Sequence, residues 1–317
     1  MRLRAAIDVF LSGEIVPRRP SFWDRARAAF GADVDLSSEK MRVALEATNV
    51  VDRVRAALGR MGIDDALSLV IDDHVIFNDD EGRPDDLGDL FIAMSEHAPV
   101  FGGGFRALRM AVEHREAGLH SVVETIAKTE HGRDDPTVMV RVGARLVDLE
   151  ARAEESAEGY RTRIAPLLAD PTLLEGHRRQ FEAFVAKLGD ALRAAFPEGR
   201  VEELEPQASV VRPDRQGRTE PRRPPAPTEP AYDPYRAYHS SPFDGMLSGL
   251  LIGSFLSSAF APHDIVVVDP HGAQLGHADA IGDLHDADGA YDGGDPDDGD
   301  VDDGDLDGGD FGGDFGD

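Results

Sequence analysis

The chain has 317 residues, with 61 Asp and Glu against 33 Lys and Arg and a formal net charge of −28. An acidic balance of this size opposes association with DNA or RNA, because phosphate binding rests on Lys and Arg neutralisation and counterion release, so nucleic acid is excluded as a partner. The absence of cysteine removes disulfides, thiolate nucleophiles, Cys-ligated zinc and iron–sulfur clusters.

Residues 1–11 have a basic start, but their apolar stretch is broken by Asp8 and followed by Glu14, too short and charged for a secretory h-region. The expectation there is a short amphipathic helix. Trp23 reads as a core residue. From Ser38 to Leu58, Met41, Ala44, Leu45, Thr48, Val51, Val54 and Leu58 recur at three- and four-residue spacing, one face of a helix that ends at Gly59 and Gly62.

Between Ala66 and Leu146 the period becomes two. Leu67, Leu69 and Ile71 alternate with Ser68, Val70 and Asp72, and Asp72-Asp73 turns the chain into His74–Phe77. Leu108, Met110 and Val112 form the next run, Ala117-Gly118 a turn, and Val123, Thr125 and Ala127 the run after it. Val138, Val140, Val142, Ala144 and Leu146 alternate with Met139, Arg141 and Arg145. Polar residues at every second position predict an antiparallel meander of three to five strands with one wet face.

Helix returns from Val147 to Phe196, punctuated at Pro166 and Asp170-Pro171, with Leu174, His177, Phe181, Phe184, Val185, Leu188, Leu192 and Phe196 along one stripe. An antiparallel sheet flanked by helices makes residues 1–205 an α+β domain. Nine prolines in residues 206–242 predict an extended, disordered linker, on which Tyr232, Tyr235 and Tyr238 are solvent-exposed.

Residues 243–282 hold an apolar segment and a short strand, Ile265–Val268. Seventeen uncharged residues run from Gly245 to Ala261, and Gly245, Gly249, Gly253, Ser257 and Ala261 recur every four. A helix with this spacing has a flattened ridge that a second helix backbone can approach closely, which makes these five the self-association residues. As a helix it is roughly 25 Å long, a little short of a ~30 Å hydrocarbon core. Two readings follow: close packing in a soluble homo-oligomer, or a single C-terminal membrane span that leaves the folded domain at the cytoplasmic face.

Residues 283–317 hold 15 Asp and 10 Gly with no basic residue, in pentads such as Asp297-Asp298-Gly299-Asp300-Val301. One apolar side chain per pentad cannot offset ordering entropy against charge repulsion, so this tail is expected to be disordered. With no Glu to close an EF-hand loop, it offers weak divalent cation association only.

No catalytic, cofactor or metal constellation stands out. His114, His120 and His131 with Glu113, Glu116, Glu124 and Glu130 read as the solvated face of the sheet. His263, Asp264, Asp269, His271 and His277 have no recognised ligand spacing, and Gly102-Gly103-Gly104 lacks the strand-to-helix context of a phosphate loop. The patterned features are associative, which predicts a non-catalytic assembly or scaffold protein. A metal-dependent hydrolase with its site on the 105–146 sheet, around His114 and His120, is the alternative.

Overall fold

The computed structural model describes residues 2–11, 39–72, 74–79, 82, 105–129, 135–168, 170–211, 225–239, 265–268 and 274–277. Nine strands form one sheet, β1 (Arg2–Leu11), β2 (Asp65–Ile71), β3 (His74–Asn78), β4 (Ala107–Glu116), β5 (Leu119–Lys128), β6 (Val138–Leu146), β7 (Gly199–Val211), β8 (Ile265–Val268) and β9 (Gln274–His277). Their spatial order is β3-β2-β4-β5-β6-β1-β7-β8-β9. Neighbours are antiparallel except β7 and β8, which run parallel, so this is an α+β fold on a mixed sheet larger than the three to five strands expected.

Three helices lie on one face. Helix α1 (Glu39–Arg60) buries Ala47, Val50, Val51, Val54 and Leu58 against it. It ends in a Schellman motif: Ile63 N–H donates to the Leu58 carbonyl (3.0 Å) and Gly62 N–H to that of Gly59 (3.1 Å), with Gly62 at φ +77°. Helix α2 (Ala157–Leu168) contributes Tyr160 and Ile164. Helix α3 (Pro171–Ala195) begins at Asp170, whose carboxylate accepts from Thr172 N and Leu173 N, and Pro171 at its first turn has no N–H to leave unpaired. The expected stripe from Leu174 to Phe196 is buried along its length, with Phe184 half-buried. Leu3, Ala5, Ile7, Val9, Val123, Val140 and Val142 meet these helices from the sheet.

Two sequence expectations fail at the ends of this region. Residues 2–11 are the strand β1, between β6 and β7, not a helix. Leu3, Ala5, Ile7 and Val9 have the period of two, but Ala6 and Phe10 on the alternate positions blur it. The domain boundary expected at residue 205 falls inside β7. Pro206 is tolerated there because Arg4 pairs Gln207 and Ala6 pairs Leu204, so Glu205 and Pro206 sit at a bulge opposite Ala5.

The second face is not wet. Residues 225–239, expected as linker, cross it as a strap that ends in the short helix α4 (Pro234–Tyr238). Tyr235 is buried, and Tyr238 packs against its cluster with Leu67, Ala111 and Val122. The strap is held by arginines that project from the sheet. Arg4 Nη1 donates to the Ala231 carbonyl (2.7 Å), and Arg141 Nη2 and Nε donate to those of Thr228 (3.0 Å) and Glu229 (3.2 Å). Arg141 also pairs Asp8 at 2.7 Å, and Arg2 pairs Asp233 at 3.3 Å. Gly143 lies directly beneath: a Cβ there would stand 2.3 Å from Asp233 Oδ1 and 2.7 Å from Tyr235 N. The expected strand 265–268 is present as β8. Among the described residues no helix is long and apolar enough to cross a membrane. The self-association residues Gly245, Gly249, Gly253, Ser257 and Ala261, the 283–317 tail, Trp23 and Gly102–Gly104 lie outside the described residues.

Candidate functional site

The β4–β5 hairpin closes with Ala117 (φ +52°) and Gly118 (φ +78°), the two positive-φ residues of a type I′ turn. Gly118 is also packed under His177, whose Cε1 would stand 2.9 Å from an added Cβ. This tight turn fixes the register, with Arg115 opposite His120 and Glu113 opposite Val122. Glu113 and His120 are therefore diagonal neighbours on the strap-covered face. Glu150, just past the 3-10 turn Val147–Leu149, and His239, just past α4, complete the group.

His120 is 1 % exposed and held at both ring nitrogens: Nε2 is 2.8 Å from Glu113 Oε2 and Nδ1 is 2.5 Å from Glu150 Oε1. Tyr235 donates its hydroxyl hydrogen to the same Glu150 oxygen at 2.8 Å. His239 Nε2 lies 3.1 Å from Glu113 Oε2, and the rings of His120 and His239 are 4.6 Å apart between centroids. Arg115, more than half exposed, approaches Glu150 at 3.9 Å.

These contacts set the charge states. Burial lowers the pKa of His120, but its hydrogen bonds with Glu113 and Glu150 outweigh that and raise it. The hydrogen bond from His120, and then the His239 ring close by, hold Glu113 well below the ordinary carboxylate range. Burial acts to raise Glu150, yet its bonds with His120 and Tyr235 leave it lowered. Burial, followed by the nearby Glu150 charge, raises Tyr235, which keeps its proton as a donor. Farther along β5, Glu124 is fully buried, with Arg109 Nη1 at 3.5 Å and Tyr232 beside it; burial pushes its pKa up and pushes that of Tyr238 up to about 12.

These side chains are expected on a solvated face, and burial overturns that for His120 and Glu124. Of the singled-out residues among those described, the fold brings Glu113 and His120 together at this site. His114 points to the opposite face, stacked on Phe184 with centroids 6.1 Å apart, and Glu116 contacts it at 3.4 Å. His277 lies in β9, and Glu130, His131, His263, Asp264, Asp269 and His271 are outside the described residues. Nothing in the sequence points to Glu150 or His239, and Tyr235, expected to be solvent-exposed, is buried here, because all three reach the site through folding of the strap and the turn after β6. The only available cue was the Tyr-x-x-x-His spacing in a segment otherwise read as linker.

No protein-family model, curated protein or solved structure matches the chain. Its chemistry therefore rests on the residues themselves. Two imidazoles and a carboxylate that converge within 4.8 Å make a donor set for a metal ion. As acid–base machinery the group has a histidine set between two carboxylates, but its hydroxyl, Tyr235, is committed as a donor to Glu150. A pocket of about 350 Å³ lies beside the middle of the strap, lined by Arg4, Gln207, Pro230, Ala231 and Gln274, and none of the His120 group lines it.

Proposed function

We propose that this is a non-catalytic assembly protein that self-associates through residues 245–261, presented from the folded sheet. The observation that carries this reading is that both flanks of the apolar segment are fastened to the same sheet. His239 sits against Glu113 on one side, and Ile265 begins β8, paired in parallel with β7 from Ala208, on the other. With both flanks held to one sheet, association through the small residues between them has less chain entropy to overcome than association through a free tail. The same pairing favours soluble packing over a single span, since one crossing between residues 245 and 261 would separate β8 from β7 by a bilayer. The cytoplasmic placement belongs to this reading.

Light scattering on the full chain tests it. The expected result is an oligomer that Gly249→Leu with Gly253→Leu converts to monomer, because leucine forces the facing backbones apart. A wild-type chain that is monomeric in both buffer and detergent overturns the proposal. The hydrolase reading is favoured by the His120 group, but it needs substrate space beside a ring that the strap covers.

A further inference from the structure

The His120 group has an independent use. We infer that Glu113, His120 and His239 form a site for one divalent transition-metal ion of zinc's class, which fastens the strap to the β4–β5 hairpin.

Hydrogen bonding alone accounts for His120, whose two nitrogens face two carboxylates at 2.8 and 2.5 Å. It does not account for His239. Its Nε2 is buried and lies 3.1 Å from Glu113 Oε2, yet at an angle outside hydrogen-bond geometry and with no other partner. Two imidazole nitrogens, one from the hairpin and one from the strap, thus converge with one carboxylate oxygen within 4.8 Å, as ligands do around a cation. Bonds of about 2.0–2.1 Å at tetrahedral angles set donor atoms roughly 3.3 Å apart. The 2.8 and 3.1 Å from Glu113 to the two histidines reach that spacing with shifts of a few tenths of an ångström, and the three donors all lie within 4.8 Å, so the two imidazoles draw towards each other on binding.

The outer contacts are those of a metal-binding histidine. With Nε2 on the ion, His120 Nδ1–H donates to Glu150, which fixes the tautomer, and Tyr235 orients Glu150 in turn. Glu113 and Glu150 together balance the charge of a dication beside two neutral imidazoles. The mixed nitrogen and oxygen donors select zinc over magnesium or calcium, which take oxygen ligands. Three protein donors leave one position for water. The His239 side chain is 29 % exposed at the strap's end, so solvent lies beside the ring whose Nε2 is buried. Binding would couple strap docking to metal, because the third ligand comes only from the docked strap.

The test uses the full chain after dialysis against EDTA, titrated with zinc and, in parallel, with magnesium and calcium, followed by calorimetry and metal analysis. The expected result is one zinc per chain that survives gel filtration, raises the melting temperature and slows proteolysis within 225–239. Glu150→Gln should weaken zinc by about 10- to 100-fold, and His239→Gln by more, without unfolding the metal-free protein. Zinc held equally by wild type and His239→Gln would place it on the acidic tail or other histidines and overturn the site, as would zinc binding no tighter than calcium. If Glu113→Gln fails to fold, His239→Gln still decides. Neither result depends on self-association, so Gly249→Leu with Gly253→Leu should leave the zinc stoichiometry unchanged.

Discussion

The two faces of the sheet are built on opposite principles from the same strands. Under the helices, Ile7, Val123, Val140 and Val142 meet Phe181, Leu188 and Leu192, and adhesion comes from apolar area removed from water. Under the strap, Arg4, His120, Glu124 and Arg141 are just as buried, but each needs a particular partner to offset its lost hydration. The first face tolerates exchange of one apolar side chain for another of similar volume. The second tolerates little, because removing one partner strands the other.

The largest expected effect comes from the helix face. Phe181→Ala should cost about 3–5 kcal/mol through the cavity it leaves, seen as one cooperative shift of the urea midpoint. Arg141→Met, which keeps much of the volume, should cost about 3 kcal/mol by leaving Asp8 and the carbonyls of Thr228 and Glu229 without their donor. Unlike the first, it should make the strap cleavable by protease before the sheet unfolds. Identical protease patterns for the two variants would show that the faces open as one unit and break the comparison.

Gly143→Ala is a smaller probe of the same contact. Its methyl group would enter the space held by Asp233 and Tyr235, so about 1–3 kcal/mol of overpacking should appear together with strap cleavage. Glu124→Gln should have the smallest effect and a pH signature. The folded pKa of Glu124 lies above its unfolded value, so its proton favours the fold at low pH and ionisation weakens it as pH rises past the unfolded value. The variant should therefore match wild type near pH 4 and melt higher at pH 8. A constant difference across that range would remove the burial argument.

Some of this was legible in sequence. The stripe from Leu174 to Phe196, the stop at Gly62, the Ala117-Gly118 turn and the strand at 265–268 rest on local periodicity and turn chemistry, which neighbours reinforce. The strap was not legible, because a proline-dense stretch lacks internal hydrogen bonds and looks solvated by itself. In the folded protein it makes only short turns of its own, and its carbonyls at Thr228, Glu229 and Ala231 accept from Arg141 and Arg4, donors set on distant strands. The candidate site was half visible: Glu113 and His120 sit on one hairpin, while Glu150 and His239 join them through tertiary structure alone.

The position of β1 has a consequence for how the molecule is made. Leu3 pairs with Ala144 and Arg2 with Ser209, so β1, ahead of the other described strands in the chain, waits for both of its neighbours to leave the ribosome. Until β7 emerges, β1 or the growing sheet presents an unpaired edge to the crowded cell. Such high contact order places folding on the slow, millisecond-to-second side of the range for small domains. Chaperone dependence during translation should accordingly fall once residues beyond Val211 are exposed and end only after β8 and β9 emerge to cover the edge of β7.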